Sequence, residues 1–204
     1  MSDDRNDGAR ERMGFLTVRE MQDLSNSQSI LDFHSTLISR YASLGPNNVL
    51  YPGTVIESDD ASELKIGTEN VFYPGSIVQA VRGGKVDIGD RNTFGPGGVQ
   101  VKANLHSTNV VIGNDVRLVN GVELVGHSHL GDGSQIIGAI QAQSVVLEGG
   151  GGFLSAEVDG RGAVLKGFGL ARGLRLNAGD VVNGVGDFSA HPVERQSDYH
   201  PRAN

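Results

Sequence analysis

The run Leu118-Val119-Asn120-Gly121-Val122-Glu123-Leu124-Val125-Gly126-His127-Ser128-His129-Leu130-Gly131-Asp132-Gly133-Ser134-Gln135-Ile136 places a large aliphatic residue at every sixth position. The register extends to Ile112 and Ala142. Upstream it recurs at Leu50 and Ile56, at Ile66, Phe72 and Val78, and at Ile88 and Phe94. Downstream the same spacing is read at Val158, Val164, Leu170, Leu176 and Val182. A helix repeats near 3.6 residues and a strand near 2, so neither accounts for six. A period of six fits a β-solenoid, in which a short strand and its turn form one side of a coil.

Four positions after the aliphatic residue stand Thr54, Asn70, Ser76, Asn92, Gly98, Val116, Val122, Ser128 and Ser134. Side chains there are small, as a tight corner requires. Gly follows the aliphatic residue at Gly67, Gly89, Gly113 and Gly131. Corners of this kind account for 30 glycines in a chain without a collagen repeat.

Ile66-Gly67-Thr68-Glu69-Asn70-Val71-Phe72 and Ile112-Gly113-Asn114-Asp115-Val116 resemble the hexapeptide-repeat, or isoleucine-patch, superfamily over roughly residues 48–195. The resemblance implies an all-β fold, a left-handed parallel β-helix of triangular section. It also implies a homotrimer with its threefold axis parallel to the solenoid. The superfamily holds acyltransferases, γ-class carbonic anhydrases and non-catalytic members such as small dynactin subunits. Ile66 to Ala80 is most similar to those subunits.

The 204 residues carry a net charge of −7. That balance argues against nucleic acid or an anionic membrane as partner. No apolar run approaches the length of a transmembrane span, and Met1 to Arg12 lacks the apolar core of a signal peptide. A cytoplasmic location is the default expectation. The absence of cysteine excludes disulfides, thiolate metal sites and cysteine nucleophiles.

Composition predicts a disordered tail over 1–13 and a helical cap over 14–46. Thr17 and Glu20 have capping-box spacing. A second helix is expected from Ser29, with Ile30, Phe33, Leu37, Ile38, Tyr41 and Leu44 forming one apolar stripe that ends at Gly45-Pro46. The β-helix is expected over 47–190, followed by a C-terminal tail over 191–204. Three spacings exceed six: Ile56 to Ile66, Val78 to Ile88 and Gln100 to Ile112 are ten, ten and twelve residues. Each predicts a loop ejected from a corner, near 57–65, 79–87 and 101–111. Inserts from successive coils tend to share one side and make a working face. Gly149-Gly150-Gly151-Gly152 break the register, and two further coils are expected after them. Ala178 to Val182, followed by His191-Pro192-Val193, is similar to the superfamily's exit segment, which covers the C-terminal end.

His106 is the leading catalytic candidate. Phe94-Gly95-Pro96-Gly97-Gly98-Val99-Gln100-Val101 ahead of it resembles acetyltransferases of the superfamily, in which a proline-glycine hexad leads into the loop of the catalytic histidine. One extra glycine and the lack of a tryptophan in the next coil depart from that pattern. Histidine can take a proton near neutral pH from a hydroxyl or amine attacking a thioester, and corner amides can stabilise the oxyanion. Acetyl-CoA is the donor this reading implies. His127 and His129 form an HxH pair. The zinc pattern of γ-class carbonic anhydrases falls here on Lys102, Asn120 and Val125, which is no zinc ligand set, so no metal is expected. Asp90, Arg91 and Glu123 are possible substrate contacts or solvated corner residues. His34 is expected in the cap. Acyl transfer to a small molecule, a non-catalytic interaction role and a carbonic-anhydrase-like role thus remain open.

Overall fold

The structure, a computed structural model, describes residues 3–200. Short parallel strands stack in ladders on three faces of a solenoid, the architecture of the left-handed parallel β-helix. The first face runs from Ser29–Ile30 through Val49–Leu50, Val71–Phe72, Thr93–Phe94, Arg117–Val119 and Gln135–Ile137. The second runs from Leu37–Ile38 through Val55–Ser58, Ile77–Ala80, Gln100–Ala103 and Glu123–Val125 to Ile140–Gln143. The third is a seven-stranded sheet from Ala42–Leu44 to Arg175–Leu176. Among the described residues no helix is long and apolar enough to cross a membrane.

Hexad residues point inward and stack. Leu50, Ile56, Ile66, Phe72, Ile88, Phe94, Ile112, Leu118, Leu124, Leu130 and Ile136 are all buried. Phe72 and Phe94, on successive coils, stack with ring centroids 4.6 Å apart. The ends are closed by Met21 and Phe188, both members of the same core cluster.

The long spacings do not eject loops. Each holds two four-residue strands around a tight turn, so two sides of the coil lengthen together. Ser58 and Leu64, Ala80 and Val86, and Ala103 and Val110 become additional inward positions. The turns between them, residues 59–62, 81–84 and 104–108, lie at one corner of successive coils. The extra glycine of Gly95-Pro96-Gly97-Gly98 shifts the register by one. Val101, not Gln100, pairs with Val78 and faces inward.

Two other expectations are corrected. Residues 29–44 form the first coil, not a second helix: Ile30 and Ile38 lie in strands that pair with Val49–Leu50 and Val55–Ile56. Their spacing satisfied a helical stripe, yet the open edge of the next coil supplies better hydrogen-bond partners. Downstream, Leu165 and Ala171, which pair with Ile136 and Ala142, replace Val164 and Leu170 as the inward residues. Val164–Arg172 is one strand that bends around the corner between the first two faces. Gly167 sits at that bend with φ +123°, and a side chain there would strike the Gly184 carbonyl.

The amino end also differs from a disordered tail. Asp3–Arg12 form a helix, α1. Arg10 is buried and donates to the carbonyls of Leu16, Phe33, His34 and Thr36 at 2.8–3.3 Å. The second helix, α2 (Val18–Leu24), carries the expected capping box of Thr17 and Glu20. At the other end Glu194–Arg195 pair antiparallel with Asp180–Val181, and Gln196–Tyr199 form α3. Buried Gln196 donates to the Gly162 carbonyl at 2.7 Å.

Candidate functional site

The corner between the second and third faces positions His106. In the turn at 59–62, Asp59 accepts from the Arg82 backbone N–H at 2.8 Å, and Ser62 Oγ accepts from that of Gly83 at 2.9 Å. The Ser62 hydroxyl and then the Arg82 amide hold the Asp59 carboxyl below its ordinary value. Turn 81–84 is thereby tied to the turn before it. Turn 104–108 is closed by Thr108, whose hydroxyl donates to the Leu105 carbonyl at 2.6 Å. The His106 imidazole rests over Gly83: a Cβ on Gly83 would lie 3.0 Å from Nδ1. Gly83 also has φ +80°, a conformation that favours glycine.

His106 is exposed, and its ring makes no hydrogen bond among the described residues. The next coil lacks the enlarged turn, so His106 stands at the step where the stack of three ends. His127 occupies this corner one coil further on, and its backbone N–H donates to Ser144 Oγ at 3.3 Å. His129 points outward from the third face, opposite Val111 and Val146. Below the corner, Lys102 Nζ donates to Glu123 Oε1 at 3.0 Å, and Glu123 also accepts from Gln141. An exposed imidazole with no hydrogen-bond partner among the described residues can take a proton from an incoming hydroxyl or amine.

The proline-glycine hexad lies at another corner of the same coil, separated from His106 by the strand Gln100–Ala103. Lys102 and Val125 are register neighbours, and Asn120 is a left-handed turn residue with φ 67°. No group of three or more potential metal ligands gathers among the described residues. Asp90 and Arg91 belong to the corner between the third and first faces. Asp90 Oδ1 accepts from the Thr68 N–H at 2.7 Å, and Arg91 pairs with Asp115 in two bonds of 3.0 and 2.9 Å. His34 is an exposed turn residue of the first coil, as a lone histidine beside the cap would be.

His106 lines none of the clefts of about 340, 260 and 380 Å³ that stand out among the described residues. Two flank Phe153 on the first face. They are absent from the sequence reading, although the aromatic-aliphatic pair Phe153-Leu154 after the glycine run was a usable signal.

No protein-family profile matches the chain, and no curated protein sequence is similar to it. Among solved structures, it is similar to LpxA, a UDP-N-acetylglucosamine acyltransferase from Bacteroides fragilis. The identity is 14%, over 83% of this chain and 78% of the other, with a TM-score of 0.43. It is similar to PerB from Caulobacter crescentus, solved with CoA and GDP-perosamine: 14% identity, 93% and 66% coverage, TM-score 0.30. A third is AntD, an N-acyltransferase from Bacillus cereus, solved with dTDP and coenzyme A: 16% identity, 89% of each chain, TM-score 0.27. At these values the likenesses assign no residue and no activity. The strand pairing carries the fold, a parallel β-helix with a six-residue rhythm and three stacked faces.

Proposed function

We propose that the chain is a coenzyme A-dependent acyltransferase in which His106 is the general base. The observation that carries this reading is the imidazole itself. It is exposed, seated on Gly83 at the end of three stacked turns, and without a hydrogen bond among the described residues. In the reaction the imidazole takes the proton of an acceptor hydroxyl or amine as its oxygen or nitrogen attacks the thioester carbonyl. The new C–O or C–N bond forms, the C–S bond breaks, and the departing thiolate takes a proton to give free coenzyme A. Backbone amides of the 104–108 turn would hold the oxyanion, since those of Arg82 and Gly83 already donate to Asp59 and Ser62. The scheme uses no metal.

The acyl donor, acetyl-CoA in the simplest case, would lie between His106 and an adjacent solenoid of a homotrimer. Light scattering should then give about three times the 21.5 kDa chain mass. The test of the base is His106→Ala against acceptor amines and alcohols. Loss of a general base costs about 10²–10⁴ in rate and should leave acetyl-CoA affinity and the melting temperature near those of the parent. Turnover unchanged by the substitution would remove His106 from the mechanism.

A second reading, a non-catalytic interaction protein, draws on the amino-terminal half of the first face. There Leu31, Val49, Tyr51, Val71 and Tyr73 point outward, with the two tyrosine rings stacked 5.0 Å apart. A monomer that fails to bind acetyl-CoA would favour this reading.

A further inference from the structure

The register break at 148–163 builds a second concave site, far from His106. The segment leaves the third face after Leu147 and folds over the outside of the first face. Its route is fixed by Arg161, whose guanidinium donates twice to the Ser155 carbonyl, at 2.9 and 2.6 Å. Phe153 is thereby set over Arg117, with the guanidinium carbon 4.3 Å from the ring centroid. On the other side α3 brings Tyr199 over Lys166, whose Nζ lies 5.5 Å from the ring centroid. A cleft of about 340 Å³ remains between them, within the size range of small-molecule sites.

The chemistry of its walls is uneven. Ile137, Val164 and Val181 supply an apolar floor, and Phe153 and Tyr199 supply rings. Arg117, Arg161 and Lys166 supply three cations. Among the described residues none of the three is in an ion pair, in a chain whose net charge is −7. Arg117 donates to Gln135 at 3.1 Å and lies over the Phe153 ring. Of the nearby acids, Glu194 accepts from the Tyr199 hydroxyl and Asp198 from the Arg195 backbone. Three like charges gathered beside an apolar floor, with no carboxylate paired to them among the described residues, make a local positive field that attracts an anion.

We infer that this cleft binds a small organic anion, one acidic head group joined to an apolar or ring-shaped body. Lys166 and Arg117 meet the head group, and the valine-isoleucine floor takes the body. In a triangular section the first face lies opposite the corner that carries His106, so within one chain the two sites are separate. The inference therefore stands or falls independently of the acyltransferase reading.

The test uses the full chain and the fluorescent anion 8-anilinonaphthalene-1-sulfonate, with neutral N-phenyl-1-naphthylamine as its uncharged counterpart. The sulfonate should bind saturably at one site per chain, more tightly than the neutral probe, with affinity falling as salt rises. It should slow hydrogen exchange in residues 148–161. Exposed Lys166 makes no hydrogen bond that the fold needs, and Lys166→Gln should weaken sulfonate binding about tenfold through loss of one charge-assisted bond. Lys65→Gln on the third face should leave it unchanged. Equal binding of the two probes, an unaffected Lys166→Gln variant, or no saturable binding would each overturn the assignment.

Discussion

The backbone N–H of Asn92 donates to the side-chain oxygen of Asn70 at 2.9 Å, one coil below it. Asn70 in turn donates from its own backbone to Asn48 Oδ1 at 2.9 Å, and Asn92 Oδ1 accepts from Val116 at 2.8 Å. All three asparagines are buried at one corner of successive coils. Each side chain replaces the hydrogen bond that a tight turn takes from the chain stacked on it. This ladder, with the aliphatic stack beside it, sets the coil repeat that presents the His106 turn.

Asn70→Ala should therefore destabilise the fold by about 2 kcal/mol, because the Asn92 N–H is left buried without an acceptor. Chemical denaturation would measure it. A loss no larger than that of a surface substitution would show that the ladder contributes little.

Leu124 is fully buried between Val101 and Ala142 on the neighbouring coils. Leu124→Ala removes that burial and leaves a cavity that parallel strands on both sides cannot close. A loss of about 2–5 kcal/mol is expected, read from the denaturation midpoint.

The N-terminal cap should be sensitive to acid. The Thr17 backbone N–H holds the Glu20 carboxylate below its ordinary value of 4.5; desolvation opposes it, and the Thr17 hydroxyl and Arg40 add smaller lowering effects. A carboxylate lowered in the folded state contributes stability that is present above its unfolded value and is lost as pH falls through the folded one. The melting-temperature difference between the parent and Glu20→Gln should hold steady above about pH 5 and shrink below 4.5. A difference independent of pH would show that the charge of Glu20 is not used.

The coils were legible in sequence because each six-residue side has one inward residue, and Leu118 to Ile136 repeats it without interruption. The ten-residue spacings were not, because a four-residue strand on each side of a turn alternates inward and outward, and Ser58 and Ala80 are too small to register as core. The first coil was obscured by Phe33 and Tyr41, corner residues whose spacing from Ile30, Ile38 and Leu44 also fits a helix. Of the two candidate sites, the His106 turn could be proposed from its neighbours along the chain. The cleft beneath Phe153 could not. Arg117 lies two coils before Arg161 and Lys166, and the three meet only when the chain is wound.

The central claim is that the His106 turn meets an acyl-CoA, and hydrogen exchange with and without millimolar acetyl-CoA tests it most directly. The account predicts a raised melting temperature and slowed exchange across residues 104–108, with no change on the third-face strand Arg175–Leu176. If acetyl-CoA neither raises the melting temperature nor protects the turn, the acyltransferase reading is contradicted.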